Sequence, residues 1–172
     1  QKKYVSSLKE NYTTDFVKEQ LDRFNGLNVL LVGEAIIDEY VFCNTIGKSG
    51  KEPVLVNQKV SSDRYAGGIL AVANHVSDFC NSVMILTYIG EKNDQKTFIE
   101  QSLSAKIEFS SVQKADSPTI LKTRFIDSYT NNKVLGVYDL NDELLNEVEE
   151  KELNDKLLAC ISDFDLVVVV DY

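Results

Sequence analysis

Three apolar runs that do not alternate with polar residues constrain the fold of this chain more than any other feature. They fall at residues 28–32, 83–89 and 166–170. A strand with one face in water alternates, whereas an unbroken apolar run marks a strand covered on both faces. The segments between these runs carry helical spacing. Gly67-Gly68 opens one helix, with Ile69, Val72, Ala73 and Val76 on a single face. Asn93 or Asp94 is placed to cap a second, which carries Phe98, Ile99 and Leu103. Residues 143–161 read as a third, strongly amphipathic, with Leu145, Val148, Leu153, Leu157 and Ile161 close to one stripe. Buried strands alternating with helices predict an α/β fold, a parallel sheet with helices on its faces.

That pattern is interrupted twice by strands that look half exposed. Val54, Val56 and Val60 alternate with Leu55, Asn57 and Lys59. Residues 119–126 and 133–139 read as a hairpin joined by the polar segment Ser128 to Asn132. These strands, near 40–65 and 119–139, predict a small inserted β-sheet lid over the carboxyl ends of the main strands, where ligands of open α/β sheets bind. Residues 13–25 read as a short amphipathic helix bearing Phe16, Val17, Leu21 and Phe24, stopped by Asn25-Gly26. The polar stretch before it reads as a linker or the tail of an upstream domain. Residues 1–26 therefore stand apart from 27–172.

At 172 residues the chain can bury a core of its own. A net charge of −9 disfavours nucleic acid as a partner, since that binding relies on clustered Lys and Arg. Any anionic ligand must then be met by a local basic site. No apolar run is long enough to span a bilayer and no signal-peptide pattern opens the chain, so the expected location is cytoplasmic. Cys43, Cys80 and Cys160 are widely spaced and odd in number, which suits reduced thiols better than disulfides or a zinc site. The chain starts at Gln1 and stops just past an apolar run, at Asp171-Tyr172, which reads as part of a longer enzyme.

The residues that could carry chemistry follow the same α/β pattern. Asp38 comes shortly after the first buried strand; its carboxylate can accept bonds from two sugar hydroxyls, or serve as a helix cap. Gly67-Gly68 lets a ligand approach bare backbone at a helix start, or is a simple tight turn. Lys122 and Arg124 share one strand face about 7 Å apart, where two cations could clamp a phosphate or face solvent. Gly47-Lys48-Ser49 is no P-loop, because Phe42 occupies the position of the required earlier glycine. Gly33 to Asp38 lacks the glycine spacing of a dinucleotide fingerprint. His75 has no evident catalytic partner, and the acidic run from Glu143 to Glu152 is read as a solvated helix face.

The order and spacing of these segments resemble the ribokinase-like (phosphofructokinase-B type) carbohydrate kinases. The segments are Gly33-Glu34 followed by Asp38, Lys51 to Val56, Ala66-Gly67-Gly68, Thr119 to Arg124, and the terminal valines with Asp171. Within that family the likeness is to the heptose 7-phosphate kinase domain of bifunctional ADP-heptose synthesis proteins, from about Leu27 to Tyr172. The resemblance implies a Rossmann-like core with a β lid, here an incomplete ribokinase-like fold. It implies transfer of a phosphoryl group from ATP, with Mg2+, to a sugar or sugar phosphate. It implies a homodimer formed through the lid and allows a fused nucleotidyltransferase domain. Asp38, Gly67 and Gly68 match sugar-contacting positions, Lys122 and Arg124 a basic strand near the sugar phosphate, and Asp171 the phosphate and metal region. Ala71 departs from the asparagine usual after the glycine pair, and Asn74, a turn later, is a candidate substitute. The family's catalytic base and most of its ATP site fall past Tyr172, so these residues alone are expected to be inactive. Two other readings stand beside the kinase: a non-catalytic sugar-binding or dimerisation module, and a nicotinamide oxidoreductase, which the missing glycine fingerprint disfavours.

Overall fold

The computed structural model describes residues 2–172. Two helices, α1 (Lys2–Asn11) and α2 (Thr14–Phe24), precede the sheet. α2 is the expected amphipathic helix, started by Thr13, whose hydroxyl accepts from the Phe16 N–H. α1 occupies the stretch expected to be a linker. Neither helix buries a residue, so α1 is sustained by local bonding rather than by packing.

The main sheet contains β1 (Asn28–Gly33), β4 (Ser82–Gly90), β5 (Ile107–Lys114) and β8 (Leu166–Val170), all parallel in the order β5-β4-β1-β8. α3 (Ile69–Ser77), α4 (Lys96–Ser102) and α5 (Glu147–Cys160) supply the connections. Val29 and Leu31 of β1 pair with Val83 and Ile85 of β4, and this face packs against Ile69, Leu70 and Ala73 of α3 and Ile99 of α4. Leu30 and Leu86 occupy the other face and are fully buried. The buried runs at β1 and β4 are thus covered on both sides, as their lack of alternation requires.

The third run differs. Among the described residues β8 pairs with β1 alone, and Val169 is 74% exposed. α5 also departs from expectation: it starts at Glu147, and of the expected stripe Val148 and Ile161 are exposed while Leu145, Leu153 and Leu157 are half-buried. Within its acidic run Glu149 is buried. Its carboxylate accepts the N–H groups of Ala115 (2.6 Å) and Asn146 (2.9 Å), while the Asn146 side chain caps the helix in return.

The second sheet has the order β3-β2-β6-β7, formed by β2 (Ala35–Lys48), β3 (Leu55–Gly68), β6 (Ile120–Asp127) and β7 (Lys133–Asp139). β6 and β7 are the expected antiparallel hairpin, and β2 pairs parallel to β6. The sheet begins earlier than expected, at Ala35, because β2 and β3 are 14-residue strands that run back to the main sheet. Its roots are bonded at the carboxyl end of β4. The Ala35 N–H donates to the buried Thr87 hydroxyl (3.0 Å), and the Gly90 N–H to the Thr119 hydroxyl (2.9 Å).

One face of β2 is held by charge. Glu39 accepts from Arg64 Nε (2.9 Å) and from the Thr123 hydroxyl (3.0 Å). Burial acts to raise the Glu39 carboxyl, but the bonds from Arg64 and Thr123 outweigh it and hold the group below the ordinary value of 4.5. A carboxyl depressed on folding stabilises above its unfolded value and loses that contribution as pH falls through the folded one. Glu39→Gln is therefore expected to lower the melting temperature at pH 7, with the gap to the parent protein closing as pH drops below about 4. Thermal melts across that range check it; a gap independent of pH would refute the assignment.

Candidate functional site

The register of the second sheet gathers the candidate residues. Asp38 on β2 lies opposite Tyr65 on β3 and Lys122 on β6, and Tyr40 lies opposite Arg124. Tyr138 on β7 lies opposite Lys122. Paired residues share a face, so these side chains project together. Asp38 forms an ion pair with Arg124, the two side chains being 24% and 19% exposed. The guanidinium carbon lies 5.6 Å from the Tyr40 ring centre and 5.9 Å from that of Tyr138. Lys122 Nζ lies 5.8 Å from the same Tyr138 ring. Lys122 and Arg124 are thus two cations served by one aromatic ring. Tyr40 and Tyr65 meet edge to face at 5.8 Å.

The glycine pair ends β3 and starts α3. A Cβ on Gly67 would fall on Asp38 Oδ2, so only glycine leaves that carboxylate its position. Gly68 has φ of +54°, which favours glycine, and precedes α3 without any side-chain cap. The first helical N–H, that of Ile69, is taken by the Glu34 carbonyl at 3.0 Å. His75 is an exposed residue of α3.

Beside this face lies a cleft of about 270 Å³ lined by Glu34, Tyr88, Lys114, Lys122 and Tyr172, with residues 140–145 forming one wall. The Tyr88 hydroxyl donates to Glu34 Oε1 at 2.9 Å. Burial, with the Glu34 carboxylate beside it, pushes that hydroxyl well above the usual phenol range, so it remains a donor. Lys114 is buried, donates to the Asn141 carbonyl (2.7 Å) and that of Glu143, and sits 5.4 Å from the Tyr88 ring centre. It fixes the wall of the cleft. Lys122 belongs to both the cleft and the Asp38 face.

Of the residues singled out in the sequence, Asp38, Gly67, Gly68, Lys122 and Arg124 come together. Asp171 follows β8 directly, at the same end of the sheet as Glu34. Asn74 stands apart. Its amide donates to the Ser102 carbonyl (2.9 Å) and accepts from the Ser104 N–H (3.0 Å), which ties α3 to the end of α4. It acts as a clamp between α3 and α4. Sequence reasoning missed Tyr40, Tyr65, Tyr138, Glu34, Tyr88 and Lys114. Only the strand register brings the tyrosines to Asp38, and no local motif encodes that register.

Among the described residues no set of three His, Cys, Asp or Glu side chains could hold a metal ion. Cys43, Cys80 and Cys160 are free thiols. Among the described residues no helix is long and apolar enough to cross a membrane.

No family model matches the sequence. The chain is 26% identical over 149 residues to the bifunctional protein HldE of Haemophilus influenzae, covering 87% of this chain and 30% of that protein. It is 27% identical over 157 residues to the bifunctional protein HldE of Trichlorobacter lovleyi, covering 91% and 32%. The chain thus spans about a third of the length of these curated relatives. Among solved structures, a carbohydrate kinase from Agrobacterium tumefaciens superposes with a TM-score of 0.60 at 18% identity, over 83% of this chain and 45% of that one. The phosphofructokinase-2 of Escherichia coli in complex with fructose-6-phosphate superposes with a TM-score of 0.60 at 14% identity, over 84% and 45%.

Proposed function

We propose that this chain, whose fold is that of the ribokinase-like carbohydrate kinases and whose sequence is similar to HldE, forms the sugar-binding part of an ATP-dependent sugar-phosphate kinase. A heptose 7-phosphate is the substrate class that best suits both the relatives and the site. The observation that carries the proposal is the convergence of the Asp38 carboxylate, the bare Gly67 backbone and two cations on one face, where the second sheet meets the main one.

The chemistry follows from those groups. Asp38 accepts hydrogen bonds from sugar hydroxyls and sets the orientation of the ring. Gly67 lets the sugar approach without meeting a side chain. Lys122 and Arg124 take the phosphate already on the sugar, Arg124 with a fork that matches its oxygens. Phosphoryl transfer depends on positioning and on charge stabilisation, and these residues supply positioning on the acceptor side. ATP and Mg2+ would supply the phosphoryl donor and neutralise its charge. No residue here is assigned as the base, and Asp171 is proposed to border the phosphate region.

The same reading includes a cytoplasmic protein that pairs with a second copy through the second sheet, where Val60, Leu135 and Val137 are exposed. A fused nucleotidyltransferase domain would suit a chain that matches about a third of a bifunctional relative. Ala71, in the place of the family's asparagine, favours a second reading, a sugar-binding module without turnover.

The test is ADP release by the full-length protein with ATP, Mg2+ and heptose 7-phosphate, fructose 6-phosphate or the parent sugars. The expected result is turnover of a phosphorylated sugar. In Lys122→Ala/Arg124→Ala the KM for that sugar phosphate should rise at least about 100-fold, since two charge-assisted contacts are lost. Tight sugar binding without turnover would transfer the assignment to the binding module. Equal losses for phosphorylated and neutral sugars would remove the phosphate role of the two cations.

A further inference from the structure

We infer that Arg124 is a latch on Asp38, released by the phosphate of the ligand, so that the phosphate admits the sugar to Asp38 as well as anchoring it. The inference rests on the sugar-phosphate reading above and concerns how that site selects its ligand. The two cations of the site are not equivalent. Arg124 is held by Asp38 and lies near the rings of both Tyr40 and Tyr138. Lys122 makes no ion pair among the described residues and opens onto the cleft. The carboxylate proposed to receive sugar hydroxyls is therefore already engaged.

A neutral sugar must displace the guanidinium from Asp38 and offers it nothing in exchange. Both groups are only partly exposed, and a neutral hydroxyl returns to Asp38 a weaker bond than the guanidinium it replaces. A phosphate alters the balance. Drawn first to Lys122, it arrives beside the Tyr138 ring that also carries Arg124. The guanidinium can then exchange a carboxylate for a phosphate, a partner it meets equally well with two parallel bonds. The ring gives the moving cation a continuous surface. Once Arg124 turns, both Asp38 oxygens are available to hydroxyls. Selection for a phosphorylated sugar is then set partly at the hydroxyl end, through the competitor that phosphate removes. Linkage makes the effect reciprocal: phosphate must strengthen sugar binding by the same factor as sugar strengthens phosphate binding.

The sign of one mutant effect separates the latch from a simple phosphate clamp. With the full-length protein, calorimetry is run on an unphosphorylated heptose and on its 7-phosphate. Arg124→Gln is expected to weaken the 7-phosphate while tightening the neutral heptose by about tenfold, the size of one charge-assisted hydrogen bond freed. In the parent protein, saturating inorganic phosphate at constant ionic strength should tighten the neutral heptose to a similar degree, and in Arg124→Gln it should not. Neutral-heptose affinity that falls or stays level in the variant overturns the latch. A second measurement needs neither Arg124→Gln nor the right sugar: the Arg124 Nε–H resonance during titration with inorganic phosphate alone. A shift that Lys122→Ala suppresses supports the exchange, and a resonance that stays in place overturns it. If that shift occurs while neither heptose binds, the latch stands and it is the heptose assignment that fails.

Discussion

Asp38→Asn in the full-length protein is expected to lower kcat/KM for phosphorylation of the sugar acceptor by about 100-fold or more, with little change in melting temperature. The magnitude follows from losing bonds between a charged acceptor and two hydroxyls, each worth roughly 1.5–3 kcal/mol. The small effect on stability follows from the setting. The ion pair to Arg124 is partly exposed on the second sheet and stands outside the main core cluster. Partly hydrated pairs of this kind contribute little to folding. Gly67→Ala offers an independent route to the same defect. Its new Cβ would fall on Asp38 Oδ2 and force the carboxylate aside while leaving it chemically intact. Both variants should therefore lose acceptor turnover while a far-sided change such as Glu39→Gln retains it. Parent-like kcat/KM in Asp38→Asn and Gly67→Ala would remove Asp38 from the site. A matching loss of melting temperature would instead make the residue structural.

The parts of this fold that could be read from the chain are those where one residue pattern has one physical explanation. The buried runs at β1 and β4 have covered faces, and only a parallel sheet between helices gives them that. The alternation in β6 and β7 placed Lys122 and Arg124 on a common face without knowledge of their partners. What could not be read depends on contacts distant in sequence. β5 mixes polar and apolar residues because it lies at a sheet edge, and it left no clear periodic signal. Glu149 sits in an acidic run that suggests a solvated helix face, yet its carboxylate is buried against the Ala115 N–H. The Asn146 and Glu149 spacing of a capping box was available locally and could have located the true start of α5. In the site, glycine at 67 was noticeable, but its reason, the approach of Asp38 from the neighbouring strand, requires the β2–β3 register.

Gly90→Ala is expected to show that the root of β6 is held in place at a close backbone crossing. Gly90 ends β4, where the chain from Ser117 to Thr119 passes directly over it on the way into β6. A Cβ there would fall on the Pro118 carbonyl carbon, the Ser117 oxygen and the Thr119 nitrogen, all backbone atoms that no rotamer change can move. The crossing is bonded as well as close: the Gly90 N–H donates to Thr119 Oγ1 (2.9 Å), and that hydroxyl donates to the Asp94 carbonyl (2.9 Å). Relieving the clash means separating these segments, at a cost of about 1–3 kcal/mol or more. For a domain of this size that lowers the melting temperature by roughly 2–4 °C per kcal/mol. The function should suffer too, because Thr119 leads directly into β6, which carries Lys122. A displaced root of β6 would raise the KM for a sugar phosphate even at temperatures where the variant is folded. Gly136→Ala is the control. Its added Cβ would meet only the Tyr138 ring, at an ordinary 3.5 Å, so it should melt close to the parent. If Gly90→Ala melts with the parent and binds as it does, the crossing is more yielding than its geometry indicates, and another contact must hold the two sheets in register.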